Sequence, residues 1–420
     1  MFYLLLQTSC SLKGFTMPTR ISRTLLAACA IPALALGAAA QTPAETMSVT
    51  GTNGTELTAE VLESFDHGWA MTFLPDGRAL VSELTGSLWL LDEDGSKIAE
   101  IANVPETEMR NQGGLGDIII HPDFANNNTV FLSYVERDEA DDTLSGAVVV
   151  KATLELTEDG GSLSDVTRIW EQSQKLKGNG HYSHRLAVAP DGNLIITSGE
   201  RQHFSPAQNM DINLGKVIRV TTDGEPVEDN PFYGNGGIAD TIWSLGHRNM
   251  LGVAFDGDGQ LWVHEMGPKG GDELNRIVRG ENYGYPIVSN GEHYNGKQFF
   301  GNHEDFPIYE NPAISWTPVI SPAGLIIYDG DTFGDWQGDA FIGGLSSRAL
   351  IRVEFVQTPL DNQGSGGESS TMETTANEAE RYEWDKRIRE VEQGPDGAIY
   401  VIEDKEGGRL LRLTPAAASE

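Results

Sequence analysis

The chain has 420 residues, 39% of them hydrophobic and 22% charged, which excludes a disordered or fibrous protein and is enough for a large buried core. It carries 62 Asp and Glu against 29 Lys and Arg, a formal net charge of −33, and such a surface repels nucleic acid and anionic lipid, so neither is expected as a partner. The carboxylates suit a hard cation such as calcium, and they equally suit the solubility of an exported protein.

Residues 1–40 read as an export leader. Arg20 and Arg23 precede the apolar run from Leu25 to Leu36, and the small residues Ala38, Ala39 and Ala40 stand before Gln41, so cleavage is expected after Ala40. A basic segment directly ahead of the apolar run favours Met17 over Met1 as the start. An alternative is a lipobox at Leu26-Ala27-Ala28-Cys29, which would anchor the chain through Cys29, although from Met17 the apolar run ahead of it is shorter than the roughly 7 to 15 residues such a segment needs. Both cysteines, Cys10 and Cys29, fall in this leader, so the exported form relies on no disulfide and no thiol nucleophile. No later stretch is long and apolar enough to span a bilayer. The expected location is periplasmic or secreted, as a monomer or homodimer.

After the leader one phrase recurs, a Pro-Asp-Gly type turn followed by apolar residues that read as a short strand. It stands at Pro75-Asp76-Gly77, Pro190-Asp191-Gly192, Asp256-Gly257-Asp258-Gly259 and Pro395-Asp396-Gly397, with looser copies at His121-Pro122-Asp123-Phe124 and near Leu325-Ile326-Ile327-Tyr328. The interval from Asp191 to Asp258 is about 67 residues, and that from Asp258 to Asp396 is about twice as long with the Leu325 copy between them. Six copies at blade-like spacing predict an all-β, six-bladed β-propeller of four-stranded antiparallel blades, a single domain over residues 41–420. A β-sandwich would not need six similar phrases. Two stretches break the rhythm. Residues 361–379, rich in Gly, Ser, Thr and Glu, read as a polar insertion or solvated loop, and Asn282 to Pro312 is an irregular connection of the kind that lines a site.

Several polar patches could carry chemistry. His181, in Gly178-Asn179-Gly180-His181-Tyr182-Ser183-His184-Arg185-Leu186, is a candidate general base because an imidazole takes a proton near neutral pH; an exposed loop histidine is the plainer alternative. Arg248 and Asn249, after Trp243-Ser244-Leu245-Gly246-His247, offer donors for an oxyanion, or else form a surface turn. Glu265 to Asn275 combines Gly267, Pro268, Asp272 and Glu273, oxygen donors for a calcium cage or a solvated acidic turn; the spacing is not that of an EF-hand. Arg387 and Arg389 alternate on a strand, so both guanidinium groups share one face and could grip a dicarboxylate. Gln112 lies beside Gly113 and Gly114, and no glycine pattern for a nicotinamide or flavin on a Rossmann unit is present.

Taken in this order, these patches resemble the soluble glucose and aldose sugar dehydrogenases that depend on pyrroloquinoline quinone (PQQ), six-bladed propellers, over about Gly68 to Pro415. The resemblance implies that His181 removes the proton of the sugar C1 hydroxyl while hydride passes to the quinone. It implies cofactor contacts from Gln112, Arg248, Asn249, Arg387 and Arg389, with Tyr294 lining the cofactor pocket. It also implies calcium at Gly267, Pro268, Asp272, Glu273 and Tyr283, held partly by the backbone carbonyls of Gly267, Pro268 and Tyr283. The substrate would be an aldose sugar, the product a lactone, and the electrons would leave to an external acceptor.

Two departures stand out. The lysine the glucose enzyme uses for the cofactor is absent from Leu345-Ser346-Ser347-Arg348, so that positive contact is lost at Ser346 or moved to Arg348. Gly180 stands where the glucose enzyme has an aspartate, which leaves the group that orients His181 open. A calcium-dependent propeller lactonase or esterase, and a non-catalytic propeller that binds glycans or proteins, would share the blade pattern.

Overall fold

A computed structural model describes residues 45–359 and 372–416. The leader expected over residues 1–40, with Cys10 and Cys29, lies outside them, as do residues 360–371.

The described chain forms six antiparallel sheets, each built around four strands. Their innermost strands are Gly68–Phe73, Leu115–Ile120, Ser183–Val188, Met250–Phe255, Pro322–Ile327 and Ile388–Gln393, which open blades 1 to 6. Each innermost strand touches the next, and that of blade 6 returns to that of blade 1, so the ring is closed and the expected propeller is observed. Closure is achieved with strand Glu56–Asp66, which precedes blade 1 in the chain but pairs with Glu406–Pro415 as the outer part of blade 6. Among the described residues no helix is long and apolar enough to cross a membrane.

The recurrent phrase marks the same place in successive blades, the turn from the first strand to the second. In each full copy the loop closes on a backbone bond, Leu74 N–H to Arg78 O at 2.8 Å, Ala189 to Asn193 at 2.8 Å, Asp256 to Gln260 at 3.0 Å and Gly394 to Ala398 at 2.9 Å. The glycine is required there because its φ is positive, +91° at Gly77 and +86° at Gly192. The looser copy at His121 differs: a single helical turn, Phe124–Asn127, fills the corner.

The second strands Ala79–Glu83, Leu194–Ser198, Leu261–Glu265, Ala340–Gly344 and Ile399–Glu403 are buried at every residue. A neighbouring blade covers each face, so these strands show no in-and-out alternation: they open apolar and four of them end in buried polar residues such as Glu83, Ser198, Glu265 and Glu403. The core is therefore distributed between blades, as where Phe131 and Val149 of blade 2 pack with Leu186 and Ile196 of blade 3. One expectation needs correction. Residues Met372–Glu383 are not a solvated loop but the outer strand of blade 5, paired with Ala349–Pro359, because a polar sequence can form an edge strand with one solvated face.

Candidate active site

Gln112, His181, Arg248, Asn249, Arg387 and Arg389 all lie just before or at the first residues of an innermost strand, in blades 2, 3, 4 and 6. The corner turns occupy the other end of those strands. Residues far apart in the chain are thus brought to one end of the ring. In blade 3 the chain enters its strand through left-handed backbone at His181, Ser183 and His184, with φ of 52°, 58° and 57°. That conformation is uncommon for residues with a side chain and is held by the surrounding structure.

Glu200 orients His181. Its Oε1 is 2.5 Å from His181 Nδ1, and its Oε2 accepts the Phe204 amide at 2.7 Å. Burial pushes the Glu200 carboxyl up, but the hydrogen bond and charge of His181 outweigh it and leave the pKa below its ordinary value. Burial lowers the His181 pKa and Arg248 and Arg201 add to that, while Glu200 opposes them. The pair is therefore a carboxylate and a neutral imidazole. A carboxylate only accepts, so the ring proton sits on Nδ1 and the lone pair is on Nε2. The His181 amide donates to Gln112 Oε1 at 2.7 Å, which ties His181 to blade 2.

Beside this pair lies a cavity of about 220 Å³, lined among others by Gln112, Asn249, Arg387, Arg389, Trp69 and His184. At its basic end Asp404 receives Arg387 Nε at 2.6 Å and Arg389 Nε and Nη2 at 3.1 and 2.9 Å. Burial pushes the Asp404 carboxyl up, yet the two arginines hold it below its ordinary value. Both Nη groups of Arg387 and the Nη1 of Arg389 are without partners among the described residues. Lys405 also lines this cavity, so three cationic side chains meet there in an otherwise acidic protein. Arg348 does not reach the cavity: it points to the Asp385 carbonyl, and Ser346 Oγ donates to the Val319 carbonyl. The third cation of the basic end is Lys405, delivered from the last turn of blade 6.

Met266 connects this cavity to a void of about 10 Å³ lined by Arg248, Gly267, Pro268, Glu273, Tyr283 and His303, which is room for about one water or ion. Gly267 is needed for the tight turn, since a Cβ there would lie 2.2 Å from the Gly270 carbonyl oxygen. Four of the five residues expected at calcium face this void. Asp272 does not. Its carboxylate is consumed by three backbone amides, those of Gly267 at 2.7 Å, Ile320 at 2.7 Å and Ser321 at 2.6 Å, so it braces the turn. Arg248 Nη1 donates to the carbonyls of Met266 at 2.7 Å and Gly267 at 3.0 Å, and His303 Nε2 lies 3.0 Å from the Tyr283 carbonyl. Glu273 is different: buried, it accepts one long hydrogen bond, from Asn275 at 3.4 Å. Desolvation, with the charges of Glu265 and Asp272 beside it, pushes its pKa well above the ordinary value.

Tyr294 stands apart from both cavities, 75% exposed, its hydroxyl 3.4 Å from Arg248 Nη2. Sequence reading missed Glu200, Trp69, His184 as a lining residue, Lys405 and His303. Glu200 is placed by strand register: Ser183 pairs with Ser198, and the same register carried two residues further sets Glu200 opposite His181.

The family model for glucose/sorbosone dehydrogenase matches residues 65–412. Aldose sugar dehydrogenase YliI of Escherichia coli is 33% identical over 363 residues, covering 86% of this chain and 93% of that protein. Quinoprotein glucose dehydrogenase B of Acinetobacter calcoaceticus is 24% identical over 430 residues, covering 83% and 85%. The crystal structure of the soluble aldose sugar dehydrogenase from Escherichia coli in the apo-form superposes with a TM-score of 0.76 over 86% of this chain and 99% of that one.

Proposed function

The chain belongs to the glucose/sorbosone dehydrogenase family, and on that premise we propose that it oxidises aldose sugars at C1 to lactones, with PQQ as cofactor and calcium as metal. The observation that carries this reading is a cavity whose basic end is built of Arg387, Arg389 and Lys405 and whose wall includes Gln112, Tyr182 and Ser183, the residues that flank or hold His181, so that the oriented imidazole stands at its margin. Unsatisfied guanidinium groups fit a flat polycarboxylate such as this quinone. Neither a propeller lactonase nor an adhesive propeller has a use for the Arg387 and Arg389 pair, so both fall behind.

The oxygen cluster also fits its metal by donor chemistry. Glu273 is a buried carboxylate short of partners, and the Pro268 carbonyl accepts no hydrogen bond among the described residues; these two would hold calcium, with the Gly267 and Tyr283 carbonyls beside them. When bound, the quinone supplies a two-electron acceptor for the hydride leaving C1, and calcium supplies a Lewis acid that polarises it.

The protein's own part is proton removal and positioning. His181 Nε2 takes the proton of the C1 hydroxyl as the hydride departs with its electron pair, and Glu200 stabilises the imidazolium that forms. Arg248 sets a positive charge at the edge of the site, where negative charge accumulates. Asn249 and Gln112 are directed donors along the cavity wall. An export leader fits an enzyme that works in the periplasm or outside the cell and passes its electrons to an external acceptor.

The test is reconstitution of the apo-protein with PQQ and calcium, followed by dye reduction across a broad panel of aldoses. Turnover that needs both additions is expected. No turnover with any sugar overturns the proposal.

A further inference from the structure

We propose that His184, which the reaction above does not use, is a hydrogen-bond donor to the bound quinone cofactor, held from behind by Ser133 as its neutral Nε2–H tautomer; this rests on the quinone reading of the cavity. His184 is 1% exposed and lines the cavity together with Asn249, Arg387 and Arg389. Its ring is stacked on Trp69 with centroids 5.2 Å apart and planes 3° from parallel, and the Arg185 guanidinium lies 4.2 Å from the Trp69 ring. The imidazole is therefore fixed in orientation by packing.

The tautomer follows from Ser133. The Asp117 amide donates to Ser133 Oγ at 2.8 Å, and His184 Nδ1 lies 2.8 Å from the same oxygen. Among the described residues Nδ1 is the one acceptor within reach of the hydroxyl proton, so Ser133 donates and Nδ1 accepts. A neutral ring then carries its proton on Nε2. The ring is neutral because burial, with the charge of Arg185, brings its pKa down to about 3.

The Nε2 edge is the one left for a ligand. The opposite edge is packed against Gly116, where an added Cβ would come within 2.1 Å of Cε1 and 2.4 Å of Nδ1. Nε2 has no partner among the described residues, so its N–H is free to donate to a ligand in the cavity that His184 lines. An anionic oxygen of a flat carboxylated quinone, drawn in by Arg387, Arg389 and Lys405, satisfies it. His184 thus differs in kind from His181: one imidazole moves a proton, the other keeps its own at every working pH.

The experiment titrates PQQ, with calcium in excess, into wild type, His184→Phe, His184→Gln and Ser133→Ala, reading binding by fluorescence and thermal shift. Ring 15N spectra of wild type are recorded alongside. His184→Phe keeps the stack on Trp69 and should weaken binding about tenfold, His184→Gln should restore most of it by returning an N–H, and Ser133→Ala should weaken it about threefold by freeing the tautomer. The His184 signals should report a neutral Nε2–H ring from about pH 5 to about pH 9. Unchanged affinity in His184→Phe, or an Nδ1–H ring, overturns the inference alone. Wild type that binds no PQQ overturns the quinone reading and the inference with it. Should His184→Phe not fold, Ser133→Ala and the spectra decide the matter.

Discussion

Glu200 and His181 are paired by the hairpin of blade 3: one carboxylate oxygen meets the ring at 2.5 Å and the other holds the Phe204 amide at 2.7 Å. A single side chain thereby fixes both the imidazole and the loop beside it. In Glu200→Gln the influences that lower the His181 pKa, burial and the charges of Arg248 and Arg201, remain, while the one that raises it is weakened. The acid limb of the pH–rate profile should therefore move to lower pH, and kcat at neutral pH should fall about 10- to 100-fold as the base weakens. A limb displaced to higher pH would contradict the assignment.

Calcium binding should be lost in Glu273→Gln. Calcium should raise the melting temperature of wild type and leave that of the variant unmoved. Because the Glu273 pKa lies above its ordinary value, the metal must displace a proton at low pH, so affinity measured by calorimetry should rise with pH until the carboxyl is ionised.

The basic end of the cavity should discriminate between arginines. Arg389→Ala should weaken PQQ binding about 10- to 100-fold by removing a charge-assisted donor and leaving Asp404 less well neutralised. Arg348→Ala should leave affinity unchanged, since that side chain reaches Asp385 instead. Equilibrium titration of the two variants side by side is the check.

Lys216 supports the same loop from below. Its ammonium is fully buried and donates to the carbonyls of Pro206 at 2.9 Å, Ala207 at 3.0 Å and Leu214 at 2.8 Å. Lys216→Met leaves the Leu214 carbonyl without a donor, while those of Pro206 and Ala207 keep the Asn209 and Gly246 amides, and should cost about 1 to 3 kcal/mol in urea unfolding. Burial brings its pKa from 10.5 down to about 7 in the fold. Between those values the unfolded chain holds more protons, so wild-type stability should rise with pH across that window, and the slope should vanish in the variant.

The propeller was legible because each blade repeats one local device, a glycine turn closing a hairpin, which needs no knowledge of distant residues. Gln112, Asn249, Arg387 and Arg389 were legible for a related reason: they stand at equivalent strand ends, so a closed ring brings them together. Glu200 and Lys405 were not. Each acts through strand register or a turn that returns to the cavity, and nothing in the residues flanking them distinguishes them from surface charges. The part Asp272 plays was not legible because oxygen donors for a cation and acceptors for backbone amides have the same composition; the placement of Ile320 and Ser321 shows its carboxylate accepting amides.

Blade 6, which supplies Arg387, Arg389 and Lys405, is completed by a strand drawn from the opposite end of the polypeptide. The three cationic side chains of the cavity thus rest on a blade that is closed only when two distant segments pair. Parting that one seam would free the strand next to the turn that carries Lys405, so the geometry of the basic end depends on a pairing between segments about 350 residues apart.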